Sequence, residues 1–358
     1  MRWRSSPDEP DAPSPEPAEP AGGDAWDRVG DQPTGEVAEP AAAPVRPPRA
    51  VDVDGDETAR ALRRVVVRAL AEDLGPLGDL TSQACVPPQQ HATARVVSRQ
   101  PGVVAGVAAI REVYAQVDPR VEVELDAADG DAVQAGDPLA TVRGPLRAIL
   151  AGEGTALNIV GHLSGVATTV RSYVDAVAGT GCAIRDTRQT TPGLRLLDKA
   201  AVRAGGGTNG RVGLHDALLV NQHHIAAAGG VGPAARAALE RAGTRPVQVQ
   251  VTAADEIEQA IVAGATELLL RGLTPHDVRV AVERIAGRAR VEASGPISVS
   301  EVRAYADAGV DGVAVGALSA AVGWLGVGLE VAAEPDEGPV GDSDDTGEDW
   351  LFGPPENG

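Results

Sequence analysis

The stretch VQVQVTAADEIEQAIVAGATELLL, residues 247–270, decides the architecture. Val247–Val251 alternates valine with glutamine, the period-two pattern of a strand, and Glu267–Leu270 is a second short aliphatic run. Between them Ala253–Ala263 reads as an amphipathic helix capped by Thr252. The same rhythm extends outward in both directions. Cys182–Arg185 and Ala217–Val220 precede this unit, Arg290–Ala293 and Gly312–Val315 follow it, and the helices Pro275–Ile285 and Ser300–Ala308 are capped by Thr274 and by Ser298 or Ser300. Six strand–helix units with short turns predict a parallel sheet. With no GxGxxG fingerprint among them, they favour an α/β barrel over a doubly wound open sheet.

Upstream the rhythm differs. Leu62, Val66, Ala69, Leu70 and Leu74 recur at three- and four-residue spacing before the Gly75-Pro76 breaker, which predicts one helix over 59–74. Short strands are expected at Ala94–Ser98, Val121–Leu125 and Leu139–Val142, with a helix at Ala108–Gln116. A long helical stretch from Leu146 to Ala178 is expected to break near Gly161 or Gly165. The domain plan is therefore a small α+β domain over 59–150 and an α/β barrel over 151–333, flanked by tails 1–58 and 334–358.

The tails hold most of the charge. Residues 1–58 carry 14 Asp/Glu against 5 Arg, and 334–358 carry 9 acids and no base, out of a formal −20 for all 358 residues. Proline-rich acidic segments of this kind bury too little apolar surface to offset their ordering entropy, so both tails are expected to be disordered. The near-neutral middle has no basic stripe or aromatic ladder, which excludes general nucleic-acid binding. No apolar run approaches the roughly 18 residues of a membrane span, and Met1 leads into no apolar signal segment. Cys85 and Cys182 are far apart and in no metal-ligand spacing, so they are expected to be reduced thiols of a cytoplasmic protein, with no metal bound by the chain itself.

In α/β barrels the chemistry lies where strands end. Here those ends are polar: Asp186-Thr187-Arg188-Gln189-Thr190-Thr191, then Asn221-Gln222-His223-His224, Gln248 and Gln250, Arg271, Glu292-Ala293-Ser294-Gly295, and Gly316-Ala317. Ser294-Gly295 and Gly316-Ala317 close the last two strands, where backbone amides leading into helices suit a phosphate. Arg188, Arg195, Arg203 and Arg211 offer guanidinium forks for carboxylates or phosphates, each with surface ion pairing as its alternative. His223 and His224, if extended, point apart and cannot chelate one metal. Gly205-Gly206-Gly207 lacks a following Gly-Lys-Ser/Thr, which excludes a Walker loop and leaves positive φ or close backbone approach as its role.

These residues carry a resemblance. AEDLGPLGDLTS (71–82), GEGTALNIVGHLSGVAT (152–168), DTRQTTPGLRLLDKAAVRAGGGTNGR (186–211), VQVQV (247–251), EASGPI (292–297) and VGAL (315–318) resemble, in order, the motifs of the nicotinate-nucleotide pyrophosphorylase, or quinolinate phosphoribosyltransferase, family. The resemblance implies an N-terminal α/β sandwich, an incomplete α/β barrel and a homodimer whose neighbour completes each site. It implies phosphoribosyl transfer from phosphoribosyl pyrophosphate to quinolinate with decarboxylation, giving nicotinate mononucleotide in NAD biosynthesis. Mg²⁺ is expected to accompany the phosphoribosyl pyrophosphate.

Residue by residue, the resemblance places substrate binding at Arg188, Gln189, Arg211, Asn221, Gln250 and Arg271, and phosphate binding at Ser294, Gly295, Gly316 and Ala317. It names no catalytic group. Several of these positions depart from the family's letters. Gln189 and Asn221 stand for lysines, Gly210 for a histidine, Gly154 for the arginine lent to the neighbour, Gln250 for an acid, and Arg271 for an aspartate. A second expectation therefore stands beside the first, a lapsed or repurposed paralogue that keeps the fold and a phosphate-binding mouth.

Overall fold

The computed structural model describes residues 55–320 and 322–333. The tails expected to be disordered lie outside the described residues apart from 55–58. Those four form the first turn of α1 (Gly55–Leu74), where Asp56 and Glu57 complement the helix N-terminus, so the helix begins four residues ahead of Ala59. After α2 (Leu80–Cys85), capped by the Asp79 carboxylate on the Ser82 N–H at 3.0 Å, come β1 (His91–Ser98), β2 (Gly102–Val103), α3 (Ala108–Val117), β3 (Glu122–Leu125), β4 (Ala132–Val133) and β5 (Pro138–Pro145). Alternation along β1 buries Ala92, Ala94 and Val96 against Ile110, Tyr114, Leu139 and Ile149. The Tyr114 hydroxyl donates to the Ile149 carbonyl at 3.2 Å, satisfying a polar atom in that core.

The single helix α4 (Leu146–Ala176) then runs unbroken through both glycines expected to interrupt it. Their role is close packing. A Cβ at Gly165 would collide with the Gly323 carbonyl, and one at Gly161 would stand 3.1 Å from the Leu325 carbonyl, so the two positions seat the returning chain against the helix.

The second half alternates: β6 (Ala183–Arg185), α5 (Arg195–Ala204), β7 (Leu218–Val220), α6 (Gln222–Ala228), α7 (Val231–Ala242), β8 (Val247–Val251), α8 (Ala254–Val262), β9 (Glu267–Arg271), α9 (Pro275–Ile285), β10 (Arg290–Gly295), α10 (Val299–Asp307), β11 (Gly312–Val315), α11 (Ala317–Ala320) and β12 (Val327–Ala333). β6 to β11 form one parallel sheet in the order β6-β11-β10-β9-β8-β7. The first strand thus lies beside the last, and β6 and β7, consecutive in the chain, stand at opposite edges. Thr274 and Ser298 cap α9 and α10 as expected, whereas at α8 Glu256 reaches back to the Thr252 and Ala253 N–H groups.

The last strand departs from the domain plan. β12 pairs antiparallel with β1 from Ala92↔Ala333 to Ser98↔Val327, giving a four-stranded sheet β12-β1-β5-β3. Residues 327–333 therefore belong to the first sheet. A strand paired far back in sequence leaves no local trace of its partner.

Candidate functional site

The strand ends β6, β9, β10 and β11 converge on a cleft of about 870 Å³. Seven of the ten expected site residues line it: Arg188, Gln189, Arg211, Arg271, Ser294, Gly295 and Gly316. The structure puts Asn221 and Gln250 elsewhere. Asn221 caps α6, its side-chain oxygen accepting from the N–H groups of His223 and His224, so both histidines lie in a helical turn and not on extended chain. Gln250 is buried and donates to Gln222 Oε1 at 2.8 Å. Ala317 opens α11 directly after Gly316.

Behind the cleft lies a hydrogen-bonded network around one buried ion pair, which the sequence reading passed over. Lys199, on α5, is wholly buried and donates to Asp186 Oδ1 at 2.7 Å and to the Gly210 carbonyl at 3.3 Å. Asp186 also accepts from Gly210 N at 2.6 Å and Asn209 Nδ2 at 2.8 Å, and Arg203 donates to Asn209 Oδ1 at 2.6 Å. Burial raises the Asp186 carboxyl and lowers the Lys199 ammonium, and their direct contact opposes both shifts. This network fixes the backbone on both sides of the opening, at the end of β6 and at 209–210. One signal for it existed: Lys199 is the single lysine among 31 basic residues, kept where every other cation is arginine.

A second buried carboxylate shapes the loop that carries Arg188. Asp198 accepts from the Thr191 N–H at 2.8 Å and from His162 Nε2 at 2.8 Å, while Ser319 Oγ donates to the Gln189 carbonyl at 3.0 Å. Arg195 donates to Thr190 Oγ1 and the Val212 carbonyl, so of the four clustered arginines Arg195 and Arg203 serve the scaffold and Arg188 and Arg211 face the cleft. Across the opening Arg185 pairs with Glu292 at 2.7 Å, and Gln248 donates to the same Glu292 oxygen at 3.1 Å.

The glycines act by shape. A Cβ at Gly316 would collide with the Gln189 side-chain oxygen, so Gln189 folds across that strand end. In the 205–207 triplet, Gly206 has φ +91° and a Cβ at Gly205 would meet the Ala167 carbonyl at 2.5 Å, in keeping with the expected close approach. The N-terminus of α10, however, already holds a carboxylate: Glu301 accepts from the Ser298 N–H at 3.0 Å. An anion at Ser294-Gly295 therefore meets the strand-end backbone and Arg271, not a free helix end.

A divalent cation does not fit this lining. Mg²⁺ takes one or two carboxylates besides substrate phosphates. The two carboxylates among the described lining residues are Asp186 and Glu292, and both are engaged by cations and amides. Among the described residues no group of three His, Cys, Asp or Glu side chains is placed to hold a metal.

A parallel α/β unit whose strand ends present arginines and glycines to one cleft defines a protein that takes small anionic, phosphate-bearing molecules. The chain belongs to the quinolinate phosphoribosyl transferase family: residues 79–164 match its N-terminal domain and residues 166–330 its C-terminal domain. It is 41% identical over 278 residues to the nicotinate-nucleotide pyrophosphorylase [carboxylating] of Mycobacterium leprae, covering 76% of this chain and 97% of that one. A probable enzyme of the same name from Bacillus subtilis is 36% identical, with 75% and 93% covered. The solved nicotinate-nucleotide pyrophosphorylase of Francisella tularensis superposes with a TM-score of 0.74 at 34% identity, covering 78% of this chain and 98% of that one.

Proposed function

We propose that this chain transfers the phosphoribosyl group of phosphoribosyl pyrophosphate to quinolinate, releasing pyrophosphate and carbon dioxide and leaving nicotinate mononucleotide. The observation that carries the reading is the pairing, in one cleft, of two kinds of anion site. Arg188 and Arg211 are guanidinium forks suited to the carboxylates of a pyridine dicarboxylate, and the strand-end backbone at Gly295 and Gly316 suits a phosphate. Holding the two substrates together turns an encounter between anions that repel in water into a local event, where most of the protein's contribution lies.

The protein acts in this reading as a homodimer, which the exposed apolar side chains Leu77, Leu80, Leu214 and Trp324 support. It works in the cytoplasm, in keeping with its two free thiols. No described helix is long and apolar enough to cross a membrane.

The test is a product assay with quinolinate and phosphoribosyl pyrophosphate, with and without Mg²⁺, reading nicotinate mononucleotide by mass spectrometry. Product that falls away in Arg188→Gln is the expected result. No product in either medium from folded protein overturns the transferase reading and leaves a phosphate-binding relative without the reaction.

A further inference from the structure

The charges facing the cleft do not balance. Among the described residues, Arg188, Arg211 and Arg271 line it without an ion pair to any carboxylate, whereas Arg185 takes Glu292 and Lys199 takes Asp186. Arg188 Nε is buried with no hydrogen-bond partner, the kind of orphaned donor that folded proteins rarely keep. Burial, and then Arg188 beside it, lower the pKa of the Arg211 guanidinium, with the Asp216 carboxylate opposing the shift, so the two cations crowd one another. Arg271 ends β9 opposite Ser294, in register on the neighbouring strand, and the Gly272 N–H donates to the Ser294 carbonyl at 2.9 Å. Its charge is therefore set at the strand end where a phosphate would sit. Gln248 is neutral and donates its amide N–H to Glu292.

We propose that the cleft holds a phosphoribosyl diphosphate through arginine in place of a divalent cation, with Arg271 supplying the charge that Mg²⁺ otherwise brings to the phosphates. The proposal rests on the phosphoribosyl reading for the identity of the ligand. Three unpaired cations match a ligand with three or more negative charges. A Mg²⁺ complex of the same ligand brings two positive charges into a lining whose carboxylates are already taken, so the free anion is the better-matched species.

The experiment is calorimetric titration of the full-length protein with phosphoribosyl pyrophosphate, and separately with inorganic pyrophosphate, in EDTA and in excess Mg²⁺. Binding in EDTA should equal or exceed that in Mg²⁺. Arg271→Gln, an exposed position whose melting curve checks folding, should weaken binding in EDTA about tenfold or more. Arg271→Asp should bind more tightly in Mg²⁺ than in EDTA, because it returns a free carboxylate to the strand end. Wild-type binding at least tenfold weaker in EDTA overturns the proposal, as does Arg271→Gln binding as tightly as wild type. Metal-dependent binding together with product formation leaves the transferase reading intact and removes only this inference. Binding in neither medium removes both.

Discussion

Two sets of charges stand side by side in the second half of the molecule, and they are built on opposite rules. In the network behind the cleft, the buried charges are matched: Lys199 pairs with Asp186, which also accepts from Asn209 and Gly210 N, and Arg203 steadies Asn209 from the side. On the cleft wall, Arg188, Arg211 and Arg271 make no ion pair with a carboxylate among the described residues. A buried charge is tolerated only when paired, because stripping its water is otherwise too costly. A partly open arginine can stay unpaired and hold its field for a ligand. The difference separates the charges that set the backbone from those left for chemistry.

The largest effect should follow from breaking the matched set. Lys199→Met leaves Asp186 buried among donors that no longer neutralise it, which should destabilise the fold by about 3–5 kcal/mol. Calorimetry should show the melting temperature falling by roughly 10 °C. Adding Asp186→Asn should recover part of the loss, because two adjacent members of one network are not additive. Full additivity would mean that the two residues do not act as one unit.

Next in size is the converse change on the unmatched wall. Arg188→Gln should weaken binding of an anionic ligand by about 10- to 100-fold, the worth of one charge-assisted contact. It should leave stability within roughly 0.5 kcal/mol of wild type, because the guanidinium has no carboxylate partner to lose and crowds Arg211. A drop in stability comparable to that of Lys199→Met would erase the distinction between the two sets.

How much of this was legible in the sequence follows from the range of each signal. The six parallel strands were read within a residue or two because each is a short aliphatic run between turns, and the Thr274 and Ser298 caps are local chemistry. β12 was not legible, since its partner β1 lies more than 200 residues away. The glycines of α4 suggested a break, because the sequence shows a missing side chain and not the carbonyl that occupies its space. For the site, the strand-end rule found Arg188, Arg211, Arg271 and the glycines. It also admitted Gln250 and Asn221, whose directions depend on a neighbouring side chain and on a helix start. Asp198 and Lys199 escaped because both sit within a helix that resembles an ordinary polar face.

A smaller effect concerns the join between the two sets. Asp216 accepts from the N–H groups of Val212 at 2.6 Å and Gly213 at 2.8 Å, fixing the turn just after Arg211. Burial works against its charge, yet those donors hold the carboxyl below its ordinary range. A depressed carboxyl adds stability that is full above its unfolded pKa, about 3.9, and is lost as the pH falls through its folded value. Acidification below pH of about 4 should therefore loosen 211–216. Hydrogen exchange should register the change there in wild type, and Asp216→Asn should show the loosened state already at neutral pH. A pH-independent exchange pattern in wild type would detach Arg211 from this anchor.

The mildest probe uses the two thiols, one in each half of the chain. Cys85, at the end of α2, is exposed, and Cys182, just before β6, is buried. Burial, with the negative charges of Asp311 and Glu292 adding to it, pushes the Cys182 thiol up to about 12. The thiolate is the reactive form, so at pH of about 8 a disulfide reagent should modify one equivalent quickly and the second only as the protein opens. That second rate reports on the region where β6 meets the matched network, since Asp186 follows β6 directly. Lys199→Met should therefore quicken modification of Cys182 and leave Cys85 unchanged, whereas Arg188→Gln should alter neither. If both variants quicken it alike, the unmatched arginines also hold the fold, and the separation of the two charge sets fails at the place where they lie closest in sequence.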